Sequence, residues 1–257
     1  MFYGIRLGVL FAMLLIAACD PSAPQRSSHI LFVEQEKNIE PYQTRVIVTP
    51  KFMRVDDGEG APDFVLFNRK EKLIYSVNTS ARTIMIVEPQ QQKVEPPIEL
   101  RVEERLVGGF KDAPTVRDIA PKHYQLMVND KVCYDFVTAN GLMEDAVTAM
   151  REFQAVLASD SMLTVNAIPA DVRNACSLAI NTFEPNRHLS FGFPIQEWDG
   201  RGYARSLMDF DDDYHPDPAL FELPEDYRRF TVQQLRTGGM PPVDEPAAGQ
   251  GANPTKL

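Results

Sequence analysis

The sequence predicts an α+β domain in which a mostly antiparallel sheet is covered by two or three helices. Three observations lead there. Short apolar runs separated by polar turns fill residues 29–137, two stretches with apolar residues three and four apart come next, and strand-like runs then return.

The first strand candidates are "HILFVEQ" and "YQTRVIVTP", the latter bounded by Pro41 and Pro50. A meander follows, with runs Asp63 to Phe67, Lys72 to Val77 and Thr83 to Val87 separated by "NRKE" and "NTSA", turns of hairpin length. "TIMIV", "FVLF" and "RVIV" are apolar on both faces. A sheet with one wet face should alternate, so these strands are expected to be covered on both sides. "IELRVEERLV" does alternate, as an exposed or edge strand would. "HYQLMVNDKVCYDFV" reads as a hairpin turning at Asn129 and Asp130, with Val132, Tyr134 and Phe136 on one side and Cys133 and Asp135 on the other.

Helical spacing appears twice. In "LMEDAVTAMREFQAVL", Met143, Val147, Met150, Phe153 and Leu157 form one buried stripe. "PADVRNACSLAINTF" opens with Pro169 and aligns Val172, Cys176, Ala179 and Phe183. Strand-like segments return at "HLSFGFPI", "YARSLMDFD" and "LFELPEDYRRFTV". Residues 240–257, rich in Gly, Pro and Ala, read as a disordered tail.

At the other end, Arg6 precedes the apolar run Leu7 to Ala18. At about 1.5 Å per helical residue the run spans roughly 18 Å, too short to cross a bilayer, so residues 1–18 read as a signal peptide. The tetrad Ile16, Ala17, Ala18 and Cys19 resembles the lipobox of bacterial lipoproteins. That resemblance implies that Cys19 carries acyl chains, including palmitate, and becomes the first mature residue. Asp20 directly after it resembles the sorting signal that keeps such proteins on the periplasmic side of the inner membrane rather than sending them to the outer one. Residues 19–28 would form a lipidated flexible tether, leaving 29–239 as a single domain.

The formal charge is −10, and loss of residues 1–18 with Arg6 makes it −11. This excludes nucleic acid as a natural partner and leaves the anchor, not surface charge, to hold the membrane. Besides Cys19, Cys133 and Cys176 remain, an even number in an oxidising compartment. They predict a disulfide between a strand and a covering helix, with two buried free thiols as the alternative.

The clusters "DFDDDYHPD" and "RVDDGEGAPD" read as turns, the first lacking calcium-loop spacing. His29, His123, His188 and His215 fall in no zinc or nucleophile motif, and no phosphate-cradling glycine loop occurs. The expectation is therefore a non-enzymatic protein with no catalytic residues, metal or cofactor.

The stretch "TPKFMRVDDGEGAPDFVLFNRKEKLIYSVNTSARTIMIV", with Phe52, Arg54, Phe64 and Tyr75, is similar to the lipoprotein-carrier group of LolA and LolB proteins and their uncharacterised relatives. "LFELPEDYRRF" resembles the closing strand of those relatives. The resemblance implies a curved half-barrel closed by helices around an apolar hollow that holds lipid or acyl chains, or a hydrophobic partner segment. Phe64, Leu66, Tyr75, Val77, Ile84 and Ile86, on one strand face, are the candidate lining residues. The alternative is a structural or assembly lipoprotein with a solid interior, serving a cell-envelope protein partner.

Overall fold

The computed structural model describes residues 27–109 and 115–239. The expected signal peptide, Cys19, Asp20 and the tail 240–257 lie outside the described residues. Twelve strands make one sheet: β1 (Ser27–Gln35), β2 (Tyr42–Val48), β3 (Phe52–Asp56), β4 (Phe64–Asn68), β5 (Leu73–Asn78), β6 (Thr83–Val87), β7 (Val102–Gly109), β8 (Lys122–Val128), β9 (Lys131–Ala139), β10 (Phe193–Asp199), β11 (Ala204–Tyr214) and β12 (Arg228–Thr231). Their order is β12-β6-β5-β4-β3-β2-β1-β11-β10-β9-β8-β7, so β12 and β7 are the edges. Every pairing is antiparallel except β12 with β6.

Helix α1 (Glu144–Met162) covers one face, here called inner. Ala146, Ala149, Met150 and Val156 pack in one buried cluster with Ile30, Phe32, Val46, Val48, Met53, Phe67, Ile74 and Val87, residues that share a face by their pairing. Phe67 meets Phe153 edge-on at 5.8 Å. Arg69 pins the helix to the β4–β5 turn, donating to Asp145 through both terminal nitrogens at 2.9 Å and to Glu152 at 3.0 Å.

The opposite, outer face of the same strands is buried by a strap. After β11 the chain crosses over them to reach β12, the edge strand beside β6. On the way Phe221 stacks on Phe52 at 5.6 Å, and the Leu220 carbonyl accepts from Arg54 Nη1 at 2.7 Å. Below it Arg54 lies 3.8 Å over the Phe64 ring and joins Arg45 in pairing with the buried Asp56. Burial alone would raise the Asp56 pKa, but hydrogen bonds from Arg45 and Arg54 hold it below its ordinary value. Apolar strands thus find cover on both sides.

Over β8 and β9 the cover is irregular. A bulge opposite Leu126 and Met127 makes Cys133 an extra residue between Tyr134 and Val132, the residues that face those two. Cys133 and Tyr134 are both buried while Val132 is exposed, so the simple alternation expected for this strand does not hold. Cys133 forms a disulfide with Cys176, with Cα atoms 5.3 Å apart, tying β9 to the covering segment.

The expected α+β class, a LolA-like half-barrel covered by two or three helices, is overturned. The described residues are 41% strand and 23% helix, one large sheet with a small helical part. The second helical stretch breaks up. Pro169 caps a 3-10 turn, Arg173 is extended, and Asn174 accepts from the Ser177 amide to start the four-residue α2 (Ala175–Leu178), which passes into a π turn at Ala179–Phe183. "HLSF" is a further 3-10 turn, not strand, and "LFELPEDY" belongs to the strap. The last helix, α3 (Val232–Arg236), is one short turn with a capping box on Thr231. Among the described residues no helix is long and apolar enough to cross a membrane.

Candidate functional site

Between the inner face and its cover lies a half-open cavity of about 1100 Å³, slightly above the ~300–1,000 Å³ usual for ligand sites. Strand order divides its wall. From β2, β3 and β6 come Val46, Met53, Val55, Met85 and Val87, faced by Met150, Phe153 and Leu157 of α1. From β1, β9 and β11 come Glu34, Tyr134 and Arg205, joined by His188 and Tyr203. The strand wall is apolar toward β3 and β6 and polar toward β11 and β9, while Thr44 of β2 and Gln154, Asp160 and Ser161 of α1 add polar lining.

The polar end is built by cross-strand register. Glu34 stands opposite Arg205, Arg205 opposite Glu197, and Glu197 opposite Phe136, so carboxylate, guanidinium and carboxylate sit side by side on the inner face. Glu197 is fully buried, and its Oε2 accepts from Arg205 Nε at 2.8 Å and from Nη2. Glu197 Oε1 lies 3.4 Å from His188 Nε2. Arg205 also sits 4.6 Å over the Phe32 ring. The Tyr203 hydroxyl donates to Glu34 at 3.3 Å.

Burial works against every charge here, and neighbours decide the outcome. Glu197 would be raised by burial, yet Arg205 and then His188 bring it below its ordinary value, so it stays ionised. Burial likewise opposes the Arg205 charge, and Glu197 more than restores it. His188 is pushed down by burial, only partly offset by Glu197, and is neutral at pH 7. Tyr134 and Tyr203 are both raised, chiefly by burial, and keep their hydroxyl protons. At the rim Asp199 is paired with Arg201 at 2.8 Å. The ensemble holds polar groups in place without presenting a nucleophile beside a base.

The six lining residues expected from the sequence do share a face, as Phe64 pairs with Val77 and Val77 with Ile84, and Leu66 with Tyr75 and Tyr75 with Ile86. It is the outer face. None of the six lines the cavity, because the alternation that aligns them turns them away from α1 and under the strap, where Leu66, Val77 and Ile84 are fully covered. Phe64 borders a second, more open hollow beside Arg54 and the strap. The cavity instead uses their neighbours Val55, Met85 and Val87. Among the described residues no cluster of His, Cys, Asp and Glu is arranged to hold a metal ion. Asp209 to Tyr214, expected as a turn, complete β11.

No protein-family model and no curated protein matches the chain. Solved structures similar to it include an uncharacterized conserved protein from Thermus thermophilus, at 10% identity over 81% of this chain and 91% of that one, with a TM-score of 0.42. PNGF-II is similar at 8% identity in one crystal form and 10% in another, with TM-scores of 0.39 and 0.38. The match takes in 83% of this chain but about a third of the length of PNGF-II. Likeness this slight carries no argument about function, and neither protein is described as a lipoprotein carrier.

Proposed function

We propose that the chain is a non-enzymatic lipoprotein, anchored through Cys19 and kept on the periplasmic face of the inner membrane by Asp20, that binds an apolar ligand in the cavity under α1. The ligand is a lipid, an acyl chain or a hydrophobic partner segment. The observation that carries this reading is the cavity itself, whose apolar wall of valines, methionines and Phe153 is left unfilled by the protein's own side chains. The space is a half-open cleft, which a ligand can enter from solvent, and ligand sites are characteristically concave and mostly apolar with a few polar groups. That favours ligand binding over an assembly factor with a solid interior.

Binding of a hydrophobic fluorescent dye tests the site directly. Met85→Trp, which adds bulk at the apolar wall, should weaken dye binding at least about fivefold in a protein whose circular dichroism is unchanged. Tyr75→Leu, on the strap side, should leave it unaltered. Equal dye binding by wild type and Met85→Trp, or loss in Tyr75→Leu alone, would refute the assignment.

A further inference from the structure

We propose that the cavity's ligand is an amphiphile with an uncharged, hydroxylated head, seated with that head against Glu34, Tyr203, Tyr134 and Arg205 and its chain along Val55, Met85 and Val87. This rests on the ligand-binding reading above and names the class of molecule that fits it.

The division of the wall supplies the first argument. The strand lining from β3 and β6 is apolar, as are Val46 of β2 and Met150, Phe153 and Leu157 of α1, whereas β1, β9, β11 and the turn before β11 give polar lining. Thr44 of β2 and Gln154, Asp160 and Ser161 of α1 add polar groups of their own. A wholly apolar ligand would leave the polar end facing hydrocarbon, and a wholly polar one would waste the apolar end. Either mismatch costs free energy for each group left without a partner. A molecule with two ends satisfies both.

Charge and hydrogen-bonding capacity supply the second. Arg205 is one of the cations that line the cavity, but it is already bonded to Glu197 and flanked across the sheet by Glu34. A second lining cation, Arg201, is taken by Asp199 and also donates to Ser177 at 2.7 Å. With His188 neutral, Glu34, Glu197 and Asp199 set three carboxylates against these two guanidiniums, Glu36 offsets Lys37, and Asp160 is matched by Arg236. No surplus positive charge remains for a carboxylate or phosphate head.

An ammonium head fails for a different reason. It offers donors alone, whereas the wall presents a donor of its own in Arg205 Nη1, since the bonds to Glu197 come from Nε and Nη2. A hydroxyl both donates and accepts, so one or two of them can receive from Arg205 while giving to Glu34, whose partner Tyr203 holds it at 3.3 Å.

The test uses three amphiphiles of one chain length, a monoacylglycerol, a fatty acid and a primary alkylammonium, each below its micellar concentration. Each competes against the same hydrophobic dye on the full-length mature protein. The monoacylglycerol should bind about tenfold or more tightly than either charged analogue. In Glu34→Gln and separately in Tyr203→Phe that preference should shrink by about three- to tenfold, the worth of one hydrogen bond lost from the head. The two variants are independent, so one that fails to fold leaves the other to decide. Equal affinities for all three heads, or preference for a charged one, would overturn the head assignment while leaving the apolar cavity standing. Failure of every amphiphile to displace bound dye would overturn both.

Discussion

Removing Arg205 alone should be among the most costly single changes in this protein. Arg205→Met leaves Glu197, 1% exposed, without the cation that keeps its buried charge tolerable. Breaking one side of a buried ion pair costs about 3–5 kcal/mol, and loss of the guanidinium over the Phe32 ring adds roughly 0.5–1 kcal/mol. For a domain of this size 1 kcal/mol moves the Tm by about 2–4 °C, so the expected fall is of order 7–24 °C. The double change Glu197→Leu with Arg205→Met removes both charges in similar volume, and should recover to within about 1 kcal/mol of wild type or better. Urea unfolding at pH 7.5 measures both. The Arg205→Met deficit should also shrink at lower pH, where the stranded carboxylate takes up a proton. A single-variant loss below about 1 kcal/mol, or a double variant as weak as the single, would refute the reasoning.

Reducing the Cys133–Cys176 bond frees a loop closed at a separation of 43 residues. Chain entropy puts the loss at about 4 kcal/mol, read as a lower urea midpoint with reductant than without. His188, lowered by burial from an ordinary 6.5, resists protonation when folded. Stability is then complete above about pH 6.5 and falls as acid protonates the unfolded chain first. Tm measured from pH 8 to pH 5.5 should decline, and His188→Phe should flatten the decline without abolishing it, since His29 is also lowered, by burial and Arg45. Gly192 sits at φ 126°, and a Cβ there would come within 2.6 Å of the Ala139 carbonyl oxygen. Gly192→Ala should therefore cost more than about 1 kcal/mol, seen as a lower urea midpoint.

Local pattern made much of the sheet legible. The apolar runs gave β1, β2, β4, β5 and β6 nearly to the residue, and Asn129 and Asp130 turn the β8–β9 hairpin at φ 50° and 62°, as their side chains allow. Strand β3 was hidden because Arg54 and Asp56 look like surface charges beside the "DDGEG" turn. They are buried only because Arg45 on β2 and Leu220 on the strap meet them, the latter 166 residues away. The cavity's polar end was hidden for the same reason. Glu34, Glu197 and Arg205 are three single charges in three separate strand-like segments, and only the β1-β11-β10 order sets them side by side. The sequence also told that apolar strands would be covered twice without telling which cover enclosed a space. Hence the six residues it singled out fell under the strap, and their alternating neighbours faced the cavity.

Native mass spectrometry of the protein gently extracted from its own membranes asks most directly whether the cavity is a ligand site. Beyond the mass of the processed, acylated polypeptide, a non-covalent lipid-sized adduct should be present in the wild type and lost in Met85→Trp. Bare protein in both, with no dye bound by either, would contradict it.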